Sequence, residues 1–271
     1  MNAQTKTIAE FVETVWEYYH SHGRHDLPWR FPEASGTFDP YKILVSECML
    51  QQTQVARVIP KYQTFLQSFP NVSVLAESEL GEVLRAWQGL GYNRRAKYLW
   101  QAAQCIEQTG SFPCSQEALT KLPGVGVNTA GAILAYAWNQ PAVFIETNIR
   151  TVYIHHFTGD ADVVSDDFIR DCLERTLDRE RPREFYWALM DYGSYLKTRV
   201  QNLHRSKQYT KQSKFEGSKR QIRGQVLREL SNAPLAARHL VHRIDDERLS
   251  GVLDELVREG LIKKKGEQYS L

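Results

Sequence analysis

The sequence predicts an all-α fold carrying a small C-terminal α+β module, and three observations predict it. Almost no stretch alternates apolar and polar residues with period two, whereas apolar residues recur every three to four positions in segment after segment. Short joints bearing Gly and Pro separate those segments, and helices do not cross such joints. Only the stretch 261–271 reads as a hairpin, turning about Lys265-Gly266.

The elements follow in order. Ile8 to His20 reads as a helix, with Val12, Val15, Trp16 and Tyr19 at helical spacing. Leu27-Pro-Trp-Arg30 and the turn-rich Phe31 to Pro40 form a loop. A second helix is expected over Tyr41 to Arg57, with Ile43, Leu44 and Leu50 on one face. Further helices are expected over Lys61 to Phe69, Glu77 to Gln88 and Arg95 to Gln108, joined by Pro70-Asn71, Gly89-Leu-Gly91 and Gly110 to Pro113. Ala142 to Ile145 is the one short extended candidate. Lys219 to Leu230, Leu235 to Ile244 and Asp246 to Glu259 are three more helical patterns, ahead of the hairpin.

With 271 residues the chain can bury a proper core in one large or two modest domains. Its 34 basic and 32 acidic residues leave a net charge of only +2, so any nucleic-acid surface must come from local clustering. The expectation is a cytoplasmic protein, with neither a membrane-spanning apolar run nor a signal peptide. Cys48, Cys105, Cys114 and Cys172 are far apart and contain no C-x-x-C pair, so they give no zinc or iron–sulfur signature.

Two stretches stand out chemically. In Leu122-Pro-Gly-Val-Gly-Val-Asn-Thr-Ala130, Gly124 and Gly126 permit a tight turn ahead of a helix start, which suits one phosphate and reads no base. The bland alternative is a loop joining two core helices. On the second helix, Glu47 falls on or beside the apolar stripe, where desolvation would keep its proton on near neutrality. The bland alternative there is a satisfied edge glutamate.

Leu122-Pro-Gly-Val-Gly126, with the helix and the carboxylate of Glu146-Thr-Asn148 behind it, resembles the helix-hairpin-helix and trailing acidic residue of the endonuclease III superfamily of DNA glycosylases. Ser46-Glu-Cys-Met-Leu-Gln-Gln-Thr-Gln-Val55 resembles the matching segment of the MutY-type adenine-DNA glycosylases. Leu27 to Arg30, Val58-Ile-Pro60, Trp87 to Tyr92, Arg94-Arg-Ala96 and Met190-Asp-Tyr-Gly193 extend the likeness in the family's order over residues 8–198.

The resemblance implies roles. Glu47 falls on the general acid that protonates adenine. Gln52 falls on a residue entering the base stack from the minor groove, Tyr92 on an aromatic wedge beside it, and Gln51 beside the widowed base. Without the resemblance these glutamines are a polar helix face. Leu122, Gly124, Val125, Gly126 and Thr129 belong to the phosphate-holding turn. Trp29 and Arg30 are either a loop anchor or an aromatic and a cation lining the base pocket, and Asp191 matches an acidic residue that helps contact the base. Glu146 stands where the family has aspartate and would stabilise the sugar cation, kept ionised by the helix start near Thr147. Asn148 would hold that carboxylate or the sugar-phosphate.

Departures from the family refine the expectation. Asn128 occupies the position of the lysine that attacks the sugar in bifunctional relatives, and an amide forms no Schiff base, so a monofunctional hydrolase is expected. Lys197 stands at the first of the four cluster cysteines and no cysteine follows, so no iron–sulfur cofactor is expected. Instead Lys197, Arg199, Arg205, Lys207, Lys211 and Lys214 form a basic segment, either a solvated linker or a source of phosphate contacts. The order of elements in 217–271 resembles a winged helix, with Asp246 to Glu259 in the recognition position and Lys263, Lys264 and Lys265 on the wing, and it suits contact with DNA or with protein.

The expected organisation is therefore a glycosylase domain over 1–198, with two helical subdomains and a cleft between them, a basic linker over 199–216 and a winged-helix-like domain over 217–271. The expected partner is double-stranded DNA holding a mismatched or damaged base, bound by a monomer that is nucleoid-associated if the source is bacterial. Adenine is the favoured base. Uracil or thymine opposite guanine, hypoxanthine, or mere binding of DNA structure are the alternatives.

Overall fold

A computed structural model describes residues 7–159, 163–210 and 214–271. The chain divides into two compact units, the first formed by Met1–Ile43, Cys114–Lys121 and Val125–Lys211, the second by Leu44–Pro113, Leu122–Gly124 and Gln212–Leu271. Residues 212–271, expected to follow a linker, thus cluster with the helices of 44–113. No helix among the described residues is long and apolar enough to cross a membrane.

In the first unit, α1 (Ile8–His22) starts at a reciprocal cap, in which Glu10 accepts the Thr7 N–H at 2.8 Å and Thr7 accepts that of Glu10 at 3.3 Å. It buries Phe11, Val15, Trp16 and Tyr19. Helices α7 (Gln116–Thr120) and α8 (Val127–Trp138) flank the glycine turn, and α9 (Thr147–Phe157), α10 (Asp166–Thr176) and α11 (Pro182–Val200) complete the core. The fully buried Tyr153, Phe185 and Tyr186 sit at its centre. The stretch 142–145 is irregular rather than a strand.

The expected second helix divides. α2 (Pro40–Leu50) runs from the first unit into the second and ends at Leu50, and α3 (Val55–Ser68) starts afresh and carries Pro60 inside it. Between them Gln52 adopts a left-handed backbone, φ 55°, which no helix tolerates. Pro60 lies inside α3, where it forfeits the backbone bond its N–H would have given. The helix expected over 77–88 is the shorter α5 (Leu80–Ala86), capped where Glu82 accepts the Glu79 N–H at 3.1 Å, and an unexpected short helix, α4 (Val72–Glu77), precedes it. α6 (Arg94–Thr109) follows.

The C-terminal part of this unit holds α12 (Lys219–Asn232), β1 (Leu235–Ala236), α13 (Ala237–Arg243), α14 (Leu249–Arg258), β2 (Lys263–Lys265) and β3 (Gln268–Ser270). The sheet is antiparallel in the order β1-β3-β2, with Tyr269 opposite both Leu235 and Lys264. Gly266 turns the hairpin with φ 60°. This is a winged-helix-like order of elements, with Lys263, Lys264 and Lys265 exposed.

Candidate active site

In the first unit the candidate site is built around Glu146, and three contacts fix the irregular stretch that delivers it. The Tyr186 hydroxyl donates to the Ala142 carbonyl at 2.7 Å and accepts the Phe144 N–H at 3.4 Å. Asn128 Oδ1, on the first turn of α8, accepts the Ile145 N–H at 3.2 Å. Gly131 lets Phe144 lie against α8, since a Cβ there would stand 2.9 Å from that of Phe144.

Glu146 therefore reaches the N-cap position of α9 on a fixed backbone, φ −101° and ψ 166°, yet its side chain makes no capping hydrogen bond. A plain capping glutamate is not what the structure contains. The carboxyl is half-buried, and burial pushes its pKa above the ordinary range while the charge of Arg150 opposes the shift. Burial thus works against the ionised form that the helix start is expected to favour. Arg150 donates to both oxygens of Asp166, at 2.8 and 2.6 Å, and burial remains the larger influence on the Glu146 carboxyl.

Asn148 does not hold the carboxylate by any hydrogen bond seen here; its Nδ2 donates to the Met190 carbonyl at 3.0 Å, tying α9 to α11. Asp191, on the next residue of α11, is 3% exposed. Arg30 reaches its two oxygens at 2.7 and 2.8 Å, and the Arg24 backbone N–H and Nε reach them at 2.8 and 2.7 Å. Burial alone would raise the pKa of Asp191, but the hydrogen bonds and charges of Arg30 and Arg24 hold it below the usual carboxylate range. Both Arg30 and Trp29 are buried, and the Arg30 guanidinium lies 5.3 Å from the Trp187 ring centre. The loop-anchor reading of Arg30 thus has its partners in place, and a base could bond Asp191 only by displacing an arginine.

In the second unit, Glu47 is half-buried on α2 among the buried Leu44, Val45, Ser46, Cys48 and Met49. The neighbouring Cys48 thiol is pushed up to about 12, by burial first and by the charge of Glu47 second. Past the end of α2 come two non-glycine residues in left-handed backbone, Gln52 at φ 55° and Tyr92 at φ 48°. One buried side chain, missed in the sequence, organises both turns. The Arg95 guanidinium donates to the carbonyls of Cys48, Met49 and Gln51 at 2.7, 2.9 and 2.6 Å, to the Thr53 hydroxyl at 3.0 Å, and to the carbonyls of Leu90 and Gly91 at 3.2 and 3.1 Å. Burial lowers its own pKa to about 10. A signal was there, since Arg95 shares a helical face with Leu99, Ala102, Ala103 and Ile106, a place where a cation is costly unless fully bonded.

In the turn 122–126, only Gly124 is required by conformation, with φ 77° and a Cβ position 2.6 Å from that of Tyr98. Gly126 is extended, φ −87°, and open, so its bareness leaves the start of α8 uncovered. Leu122 and Val125 are buried anchors, and Thr129 lies in the first turn of α8.

Lys197 and Arg199 are exposed at the end of α11, Arg199 lying 4.4 Å from the Tyr195 ring centre. The stretch beyond is no free linker at first. Asn202 donates to the Thr151 carbonyl at 3.0 Å, Arg205 to Thr158 and Gly159 at 3.0 and 2.8 Å, and Val164 bridges to Ser206. Lys211 lies outside the described residues. Cys48, Cys105, Cys114 and Cys172 are free thiols on separate segments, and no group of three or more His, Cys, Asp or Glu side chains that could hold a metal forms among the described residues.

On α14, the expected recognition helix, and at its C-cap, two acidic side chains are engaged internally. Glu255 pairs with Lys219, and Glu259 with Arg94 and Arg223, while Lys97 donates to the Glu259 carbonyl. Burial would raise the pKa of Glu259, but the hydrogen bonds of Arg94 and Arg223 hold it at about 2.

A helical core with a glycine turn, a fixed carboxylate behind it and a second carboxylate on an apolar helix defines the class of helix-hairpin-helix repair proteins. Residues 45–175 match the HhH-GPD superfamily of base excision DNA repair proteins. The chain is 33% identical over 270 residues to the adenine DNA glycosylase of Mycolicibacterium smegmatis, covering 91% of this chain and 90% of that protein. It is 37% identical over 196 residues to the adenine DNA glycosylase of Buchnera aphidicola subsp. Baizongia pistaciae, covering 70% of this chain and 54% of that protein. The chain thus spans about half the length of the Buchnera relatives, 54% and 53%. Among solved structures, a thermostable thymine-DNA glycosylase matches at TM-score 0.62 and 25% identity, covering 69% of this chain and 86% of that one. An endonuclease III in complex with DNA shares the fold at TM-score 0.58 and 18% identity, covering 70% of this chain and 87% of that one. The chain belongs to the HhH-GPD superfamily, in its adenine DNA glycosylase family.

Proposed function

We propose that this chain is a monofunctional DNA N-glycosylase that hydrolyses the glycosidic bond of a base swung out of duplex DNA, adenine opposite guanine or 8-oxoguanine being the favoured substrate. The observation that carries the reading is Glu146, a carboxyl at a helix start whose backbone is held by neighbours and whose side chain is not used as a cap. The likeness to the adenine DNA glycosylases supports adenine as the base.

In this mechanism Glu47 gives its proton to a ring nitrogen of the base, which leaves with the electrons of the C–N bond. The cation left on the sugar is stabilised by the Glu146 carboxylate until water adds and loses a proton. Gln52 and Tyr92 fill the space the base vacates, Gln51 borders the partner base, and the open turn at Gly124 and Gly126 holds a phosphate. Lys197 and Arg199 add phosphate contacts, which makes affinity fall with salt. The chain's own carboxyls serve this reaction, and no bound cofactor is assigned to it. Asn128 supplies no amine, so borohydride should trap no covalent adduct with abasic DNA.

The test is single-turnover reaction on a panel of mispaired duplexes, each then heated with alkali to cut abasic sites. Adenine release is expected. Pyrimidine release without adenine release would favour the second reading, for which the thermostable thymine-DNA glycosylase is the structural precedent. No product on any duplex would leave a DNA-binding protein without glycosylase activity.

A further inference from the structure

The C-terminal segment places a charged side chain on a residue of the base-extrusion machinery. Two guanidinium groups lie over the Tyr92 ring, Arg95 at 5.5 Å and Arg220 at 5.7 Å from its centre. They act on different parts of the residue. Arg95 bonds the backbone of the turn through Leu90 and Gly91, and Arg220 Nη1 donates to the Tyr92 hydroxyl at 2.6 Å. A charge-assisted bond of that length fixes the direction of the phenol as well as its position.

Arg220 is not an unrestrained surface arginine. It lies on the first turn of α12, and α12 is fastened along its length. One turn on, Arg223 pairs with Glu259, which also pairs with Arg94 at the start of α6. At the far end of α12, Ser231 is bonded by Gln88, four residues before Tyr92. The module's last residue, Leu271, packs against Gly81 of α5, where an added Cβ would stand 3.3 Å from that of Leu271. Glu255 on α14 and Glu259 just past its end are engaged in such pairs, so in this unit the expected recognition helix serves in part as an internal fastening. What the fastening delivers is the Arg220 guanidinium at Tyr92.

We infer that Arg220 is a positioning residue: the winged-helix-like segment uses it to set the Tyr92 ring for entry into the base stack, and so governs how readily the target base is held outside the duplex. The inference rests on the proposed role of Tyr92. It needs no contact between the segment and DNA.

The experiment uses the full chain and the duplex that reacts best in the mispair panel, with Arg220→Ala, Arg220→Lys, Tyr92→Phe and the double variant Arg220→Ala/Tyr92→Phe. Tyr92→Phe keeps the ring and removes only the hydroxyl that Arg220 holds. Single-turnover rate, the fluorescence of 2-aminopurine at the target position and the salt dependence of binding are read for each.

Arg220→Ala and Tyr92→Phe should each slow base release roughly three- to tenfold and reduce the fluorescence rise by similar proportions, as expected for residues coupled by direct contact. The double variant should be no slower than the slower single, and Arg220→Lys should recover part of the loss. Multiplying losses, with the salt slope reduced by about one in both backgrounds, would make Arg220 an independent phosphate contact and overturn the inference. An unchanged rate in Arg220→Ala overturns it too. The parent reading fails separately, if Tyr92→Ala retains the wild-type rate and fluorescence, or if the wild-type chain releases no base.

Discussion

Gly193 of α11 stands so close to α9 that a Cβ built on it would lie 2.3 Å from the Asn148 carbonyl oxygen. The two helices cross at this point with their backbones in contact, and the Asn148 amide fastens the crossing to the Met190 carbonyl. Glu146, two residues before Asn148 at the start of the same helix, inherits its position from that crossing. Gly193→Ala should force the helices apart and cost about 3 kcal/mol, the upper end for overpacking a filled interior. Asn148→Ala, which removes one hydrogen bond and no backbone contact, should cost about 1 kcal/mol. Urea unfolding of both variants checks this; equal losses would mean that the close approach relaxes freely.

Asn128 should separate activity from stability. It is exposed, and its Oδ1 accepts the Ile145 N–H, directly before Glu146. Asn128→Ala should leave the melting temperature within a few degrees of wild type. Its single-turnover rate should fall about ten- to a hundredfold, since the carboxylate is released from its fixed backbone and misplacement of a reacting group is costly. An unchanged rate with a lowered melting temperature would make Asn128 a fold residue only.

The pH profile carries the mark of Glu146. The proposed reaction needs its anion, and burial raises its pKa above 4.5. Activity should therefore rise with pH through a midpoint higher than that of an exposed glutamate. Glu146→Asp should move that limb and lower the rate, whereas an acid limb unaltered by the substitution would assign it to another group.

Glu259 predicts acid sensitivity of the second unit. Its pKa is about 2, held there against burial by Arg94 and Arg223, and its side chain is 15% exposed. A depressed pKa contributes stability that is complete above the unfolded value near 4.5 and is lost as pH falls through about 2. The displacement corresponds to at most about 3 kcal/mol, less after solvent screening. Glu259→Gln should lower stability at neutral pH and make no difference near pH 2. A constant difference across that range would show the loss to be one of packing.

The sequence displays the helical period, the caps and the glycine turn because these are local. The break after Leu50 is not local. Its turn contains neither Gly nor Pro, and it is held by Arg95, a residue on another helix whose six acceptors lie in two turns. Ala142 to Ile145 has the composition of a strand but pairs with no strand among the described residues; the Ala142 carbonyl and the Phe144 and Ile145 N–H groups go to Tyr186 and Asn128 instead. Glu146 and Asn148 are recognisable from their place behind the turn, whereas the pairing of Asp191 with Arg24 and Arg30 joins distant stretches and leaves no periodic trace. The raised pKa of Glu146 is equally hidden, because it comes from burial, which the packing of the folded chain decides.

The central claim is that Glu47 supplies the proton that lets the base leave. Its most direct test is the single-turnover rate of base release by Glu47→Gln beside its affinity for the same duplex. The account predicts that release is abolished and that binding stays near wild type; release persisting at the wild-type rate, or binding lost in step with it, would contradict the claim.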